Sequence, residues 1–455
     1  MQVSIAKSSW FNERGVRFDA SFHLSSARKA TQLFKNSSGP IQDLTSLTKH
    51  IYSGHRFKRY YVSNSENGIP FMGGSDMLKS DFVSLKLISK KLTKSINDLR
   101  LGKGWTLVTR SGTIGRTAYV REDFLDKVAT EDVIRIIPDD KKIFPGFLYA
   151  FLSCKYGYAL LTQSTYGGVI QHIEPHHIIN LPVPHFSTKT QSLIHKLIEE
   201  ASTLRVLSNN LLIRATKIFD DKFFVDKKKY HVAFKKNILK FNFSWAGRNN
   251  DKVAELILEK IRKEKHFIMG EIADKIFSPP IFKHIYLDKN NGNPFYTGGE
   301  LSQIYRPMYR FLSKRGVTNI DDYKINTGTI LIYKSGPRDG MLGQVFIADK
   351  TLNEACLSDH VIRIMIKNEK LSSWVFAFLK SSIGLRILHN IGTGSAILFI
   401  TSDRLSQLPV PKPDDKDLNI VHELINEYLN NFSKACDLEK KAIQLVENEI
   451  DSWQN

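Results

Sequence analysis

The chain has 455 residues, of which 42% are hydrophobic and 24% charged, enough apolar material for a packed core and too much for a globally disordered chain. Lys plus Arg number 65 and Asp plus Glu 46, so the formal charge is +19, an excess that suits a polyanionic partner such as DNA, RNA or an acidic membrane surface. Three cysteines (Cys154, Cys356, Cys436) cannot build a disulfide framework and point to a reducing compartment. The opening MQVSIAKSSW lacks the apolar core of a signal peptide. The most apolar long window, Gly146 to Leu161, is interrupted by Lys155 and is too short for a membrane span. The expectation is a basic cytoplasmic protein with no membrane partner.

In chain order, Gly104 to Val120 reads as a strand, a glycine-bearing turn and a second strand. Val133 to Ile137 reads as a further strand rich in β-branched residues. Phe147 to Leu161 reads as one mostly buried helix. Leu181-Pro-Val-Pro184 ends this globular part, since two prolines two apart should stop regular pairing. From Ser187 to Phe219 follows a helix of about 33 residues, roughly 50 Å long. Along it Leu197, Ala201, Leu204, Ser208, Leu211, Ala215 and Ile218 are spaced 4, 3, 4, 3, 4, 3, which is a heptad seam.

The series then returns. Phe57-Lys58 recurs as Phe282-Lys283, 225 residues on, and Gly68-Ile-Pro70-Phe71 as Gly292-Asn-Pro294-Phe295, 224 on. Gly104 and Ser111-Gly112 recur as Gly328 and Ser335-Gly336, also 224 on. Val133-Ile-Arg135-Ile136 recurs as Val361-Ile-Arg363-Ile364 at 228, and both Ala150-Phe-Leu152 and Leu181-Pro-Val-Pro184 recur at 227. The step from 224 to 228 is a four-residue insertion, where Gly336 to Gly343 stands against Gly112 to Gly115. Thr329 to Lys334 is the matching first strand, Val361 to Met365 the later strand and Trp374 to Leu388 the matching helix. Leu424, Tyr428, Asn431, Ala435, Leu438, Ala442 and Leu445 repeat the seam, each 227 later. Two large tandem units therefore fill the chain. The reading is an α+β protein with an internal pseudo-twofold repeat: residues 1–185 and 226–412 form two α/β globular domains, joined by long helices within 186–225 and 413–455. A lone helix with such a seam needs a partner, and the other copy supplies it, with antiparallel pairing expected as a coiled-coil spacer. Ser208 and Asn431 are polar seam positions suited to fixing register or to being solvated defects.

Catalytic chemistry is not legible. No G-x-x-x-x-G-K-[ST] loop occurs, and Gly392-Thr-Gly394 follows a helix-like segment rather than a strand. Asn293-Pro-Phe-Tyr296 lacks the second proline of an amino-methyltransferase box. Pro413-Asp414 with Glu439-x-Lys441 mimics a nuclease triad, but Glu439 and Lys441 sit on a helix, where i and i+2 point apart. His172, His176 and His177 lack the Cys or carboxylate partners of a tetrahedral metal site, so no metal is expected.

Two tandem units, each ending in Leu-Pro-Val-Pro and a long helix, resemble the specificity subunit of type I restriction–modification systems. Arg17-Phe-Asp19-Ala20, Gly68-Ile-Pro70-Phe71, Ser111-Gly-Thr-Ile-Gly115-Arg116 and the Ala150-Phe-Leu152 helix also fit the pattern. The resemblance covers essentially the whole chain. The second copy departs at Lys240-Phe-Asn-Phe243, which replaces Arg-x-Asp, and at the inserted loop. The resemblance implies a non-catalytic subunit whose globular parts are target-recognition domains, each reading half of a split site in double-stranded DNA. It implies helices that set the gap and dock two adenine methyltransferase subunits carrying S-adenosylmethionine. ATP-driven restriction subunits, with ATP and Mg, would complete the complex. A related methylation-linked phage-defence complex, a self-contained enzyme and a nucleic-acid-binding adaptor are the competing readings.

Basic, amide and hydroxyl side chains in loops at strand ends are the natural DNA contacts. In the first copy these are Lys58, Arg59, Arg110, Thr113, Arg116, Tyr166, Gln171 and His172. In the second they are Lys283, His284, Lys334, Arg338, Thr393 and Ser395. Leu197, Leu204, Leu211, Ile218, Leu424, Leu438 and Leu445 are the expected helix-pairing residues. Arg135 and Arg363, at equivalent strand positions, are expected to pair with an internal carboxylate or to cover the sheet with their stems.

Overall fold

A computed structural model describes residues 26–37, 39–82, 85–94, 96–163, 172–226, 251–304, 306, 310–338, 340–394 and 397–453. The motifs at Arg17 to Ala20 and Lys240 to Phe243 lie outside these residues. The chain forms two compact units, one of residues 1–206 with 434–455, the other of residues 207–433.

The first unit's elements are α1 (Ser26–Phe34), β1 (Ile41–Asp43), β2 (Thr48–Ser53), β3 (Tyr61–Val62), β4 (Gly68–Met72), β5 (Lys86–Ser89), β6 (Thr106–Thr109), β7 (Thr117–Tyr119), β8 (Val128–Ala129), β9 (Val133–Pro138), α2 (Pro145–Ser153), α3 (Lys155–Thr162), α4 (Pro175–Ile178), β10 (Pro182–Pro184) and the start of α5 (Thr188–Lys222). One sheet has the antiparallel order β2-β9-β6-β7; a second has the order β3-β5-β4-β8, with β4 and β8 parallel. Leu107, Ala118 and Val133 of the first sheet pack with Met72 and Ala129 of the second in one core.

The second unit repeats this plan with α6 (Lys252–Lys263), β11 (His266–Ile268), α7 (Met269–Ile272), β12 (Lys275–Phe277), β13 (Tyr286–Leu287), β14 (Asn293–Tyr296), α8 (Gly298–Leu301), β15 (Phe311–Leu312), β16 (Ile330–Tyr333), β17 (Ser335–Gly336), β18 (Val345–Ile347), β19 (Cys356–Leu357), β20 (Val361–Met365), α9 (Glu369–Lys380), α10 (Ser382–Ile391), β21 (Leu398–Phe399), α11 (Ser402–Ser406), β22 (Pro409–Pro411) and α12 (Asp415–Ser452). Its sheets run β12-β20-β16-β18 and β13-β15-β14-β19, and β14 is again parallel to the last strand. Register repeats as well: Leu107 faces Arg135 in the first unit and Leu331 faces Arg363 in the second. The insertion falls where the offsets place it. Gly115 (φ 74) and Gly343 (φ 70) close the same turn, donating to the Thr109 and Tyr333 carbonyls at 3.0 Å each. Both need the left-handed region that glycine enters without strain.

Three sequence expectations change. Each supposed single helix is two. α2 stops at Cys154 and α9 at Ser381, both extended residues that cap the next helix by accepting from Gly157 N and Gly384 N. The second pair bends by 77°. Next, the Leu-Pro-Val-Pro segments do pair: β10 with β1 and β22 with β11. Prolines two apart share one side of a strand. That side faces away from β1, while Leu181 O and His185 N on the other side bond to Leu44 N and Pro40 O. Finally, no carboxylate bonds Arg135 or Arg363 among the described residues. Both guanidiniums are buried and donate to carbonyls, Arg135 to Ala129 (2.8 Å) and Val133 (3.0 Å), Arg363 to Leu357 (2.9 Å) and Val361 (2.7 Å). Burial lowers both pKa values, that of Arg363 to about 10.

The long helices divide between the units. In the first unit, the start of α5 runs antiparallel to the end of α12, since the Phe186 ring meets Trp453 at 5.8 Å and Arg205 pairs with Glu439. In the second, Ser208 donates to the Tyr428 carbonyl (3.3 Å), and Phe219 packs on Trp374, whose indole N–H reaches Pro411 O (2.8 Å). The seam is rotated by one residue from the expected one. Ala201, Ser208, Ala215, Tyr428, Ala435 and Ala442 are buried as expected, as are Leu197, Leu211 and Leu424 at the rim. Leu204, Ile218, Leu438 and Leu445 are only half-buried, and Ile198, Arg205, Leu212, Phe219, Ile425, Phe432, Glu439 and Val446 take the centre. A two-helix seam buries a narrow stripe, whereas each half here also packs on its own globular part: Tyr119 donates to Glu199, and Gly146 N donates to His195 Nδ1 at 3.2 Å. No single described helix is long and apolar enough to cross a membrane.

Candidate nucleic-acid interface

The β3 edge of the first unit and the matching β13 edge of the second, together termed the β3 edge, carry a basic, aromatic surface built the same way. In the β2–β3 connection Phe57 turns inward against Phe71 (6.1 Å), so its neighbours Arg56 and Lys58 turn outward. Lys58 lies 5.2 Å over the exposed Tyr60 ring, and Lys86 of β5 lies 5.4 Å over exposed Tyr61. Arg59 is held by Glu131 (2.9 Å) and Thr130 (3.1 Å). In the second unit Phe282 packs on Phe295 (6.0 Å) and Tyr323 (4.4 Å), leaving Lys283 and His284 exposed. The Tyr286 hydroxyl lies 3.3 Å from His284 Nδ1.

The turn after the middle strand supplies further cations that the sequence reading missed. Ser89 N donates to Tyr60 O (2.8 Å), which sets Lys90 and Lys91 beside the edge; Ser313 N donates to Ile285 O (2.8 Å), which sets Lys314 and Arg315 there. All four are exposed. A Cβ on Gly316 would lie 2.3 Å from Lys283 O, so the Lys314–Arg315 turn sits directly on the Lys283 backbone. The signal was present in the sequence: Ser89-Lys-Lys91 returns as Ser313-Lys-Arg315 at the same 224 offset.

The remaining candidates gather around the loops after β6 and β16. Ser111 bridges His172, and Ser335-Gly336 pairs with Phe399 and Leu398, Thr393 also bridging Phe399. Thr113 is exposed, and its carbonyl accepts from the Thr109 hydroxyl. Arg116 stacks 4.8 Å over Tyr158. Arg110 is mostly buried and pairs with Glu174 and, at 3.5 Å, with Asp132. Lys334, its counterpart, reaches Ser278 (3.3 Å) and Asp359 (3.8 Å). Arg338 donates to His389 O (2.9 Å). Arg110, Lys334 and Arg338 thus hold loops, whereas Lys58, Lys283 and His284 face solvent. Tyr166, Gln171 and Ser395 lie outside the described residues.

The other motifs resolve into structure. Glu439 is buried in an ion pair with Arg205. His177 Nδ1 accepts from Glu174 N (3.0 Å) in a helix cap; burial and then the neighbouring His176 lower its pKa. Among the described residues no three His, Cys, Asp or Glu side chains converge to hold a metal ion.

Each unit thus repeats one scaffold and presents a basic edge at the same place in it. The family model of the type I restriction modification DNA specificity domain matches residues 49–212 and again 262–448, and the chain belongs to that family. The specificity subunit of the type I restriction enzyme EcoBI from Escherichia coli is 28% identical over 204 residues, 43% of this chain and 41% of that relative. The chain thus matches less than half the length of that curated relative. Among solved structures, the S subunit of a type I restriction-modification system from M. genitalium is 14% identical, over 92% of this chain and 95% of that one, with a TM-score of 0.32. The HsdS subunit from Thermoanaerobacter tengcongensis is also 14% identical, over 91% and 96%, with a TM-score of 0.28.

Proposed function

We propose that this chain is the sequence-specific DNA recognition subunit of a type I restriction–modification complex. Each unit reads one half of a bipartite double-stranded site. The long helices set the gap and dock two adenine methyltransferase subunits. Those partners supply S-adenosylmethionine, and restriction subunits, where present, supply ATP and Mg chemistry; this chain contributes positioning and no bond-making step.

The observation that carries the reading is the duplicated edge. Lys58 with Lys90-Lys91, and Lys283 with Lys314-Arg315, occupy equivalent places on equivalent scaffolds. Phosphates are met by the shared cations, and different bases by the side chains that differ. Selection from random duplex DNA by the full chain, alone and with its methyltransferase, at near-physiological salt, is the test. Two short motifs at a fixed gap are expected. Salt-sensitive binding with no enriched motif leaves a non-specific nucleic-acid binder instead.

A further inference from the structure

The two β3-edge connections share Phe57/Phe282 and Lys58/Lys283, yet differ at the residue just before, Arg56 against Ile281. Ile281 is 87% exposed, the most exposed large apolar side chain among the described residues. A single exposed isoleucine is ordinarily uninformative. This one is held outward by a rigid frame. Pro279-Pro280 restrict the approach, the Tyr323 hydroxyl donates to Pro280 O (3.1 Å), and Phe282 is locked among Phe295, Tyr323 and His284. Lys283 follows it directly, and the Lys314–Arg315 turn abuts Lys283. An apolar tip two residues from Lys283, with the Lys314–Arg315 turn against the Lys283 backbone, fits a polyanion that offers an apolar group within reach of its phosphates. Duplex DNA does so through the thymine methyl in the major groove, and guanine offers its O6 and N7 acceptors there to arginine.

We propose that Arg56 and Ile281 are the equivalent base-reading positions of the two units, Arg56 for a guanine in one half-site and Ile281 for a thymine in the other. This rests on the recognition function above and adds which residue reads which chemical group. Shared cations position both edges, and the tip residue discriminates.

The test compares motifs enriched from random duplex DNA by the full chain and by its Arg56→Ala, Ile281→Ala and Ile281→Arg variants, with Lys314→Ala as the phosphate control. Arg56→Ala should cost roughly tenfold or more in preference for guanine at one position of one half-site only. Ile281→Ala should relax one thymine position in the other half, and Ile281→Arg should shift that position towards guanine. Lys314→Ala should weaken all sequences evenly. Unchanged motifs in both alanine variants, with Lys314→Ala still weakening binding, overturn the assignment and leave recognition by other residues intact. No motif from the unsubstituted chain, or a preference for single strands or RNA, removes the recognition function and this assignment with it.

Discussion

Arg205 of α5 and Glu439 of α12, 234 residues apart in sequence, form an ion pair in which each side chain is only 4% exposed. The Tyr149 hydroxyl of α2 donates to the same carboxylate, and a second Arg205 nitrogen reaches Cys436 Sγ at 3.8 Å. Burial by itself disfavours the Arg205 cation, but Glu439 outweighs it, and the guanidinium pKa ends above its ordinary value. Burial, and then Glu439, push the Tyr149 hydroxyl upward. Removing one partner strands the other in a dry site. Arg205→Ala should therefore cost about 3–5 kcal/mol by denaturant unfolding, whereas Arg205→Met with Glu439→Leu and Tyr149→Phe, which leaves none of the three polar groups behind, should recover most of that. A midpoint change for Arg205→Ala no larger than for a surface substitution would show that the pair is solvated.

The helix corner after α2 and α9 makes a second prediction. A Cβ on Gly157 would lie 2.0 Å from Phe151 O, and one on Gly384 2.1 Å from Phe378 O. Either glycine to alanine forces backbone apart and should cost about 1–3 kcal/mol or more, as overpacking does. Ser381 already does in one unit what Cys154 does in the other, accepting from Gly384 N at 3.1 Å while donating to Phe378 O at 2.6 Å. Cys154→Ser should thus be nearly neutral, and Ser381→Ala should lose about 1 kcal/mol with its cap. Thermal melts of the three variant types check the order.

His195 sets a pH dependence. Its Nδ1 accepts from Gly146 N, an interaction only the neutral ring can make, and burial lowers its pKa below 6.5 despite the partly opposing Glu199. Between the lowered folded value and the unfolded one the unfolded chain binds more protons, so stability falls with acid. His195 should contribute fully above about pH 6.5, with loss as pH drops through the folded pKa. His195→Asn, which keeps an acceptor without titrating, should flatten the melting temperature between about pH 7 and 5. An unchanged slope would place the titration elsewhere.

Much of the plan was legible because duplication amplifies weak signals. Val133 to Ile136 alone is a plausible strand; its return as Val361 to Ile364 makes it a structural position. What escaped depends on tertiary contacts. The seam centre moved from Leu204 to Arg205 because the helix face is chosen by the globular part as well as by the partner helix. Arg110 and Lys334 read as loop cations, but Glu174 and Asp359, distant in sequence, turn them inward. Lys90-Lys91 and Lys314-Arg315 each look in sequence like any solvated turn; the Ser89 N to Tyr60 O and Ser313 N to Ile285 O bonds bring them to the edge.

That distinction separates two kinds of basic residue by experiment. Each phosphate neutralised adds about 0.9 to the steepness with which log K falls against log salt. Lys314→Ala and Arg315→Ala should each reduce that slope by about 0.9, and alanine at Lys90, Lys91, Lys314 and Arg315 together by about 3.6, with the melting temperature little changed. Arg110→Ala and Lys334→Ala should do the reverse. Glu174 and Asp132 lose the cation that pins the loop after β6, so stability falls, while the salt slope stays near that of the unsubstituted protein. Lys49→Ala, whose cation already faces Asp140 at 2.7 Å outside the edge, is the control expected to change neither. A slope that falls for Arg110→Ala and holds for Lys314→Ala would move the phosphate-binding face from the β3 edge to the loop after β6.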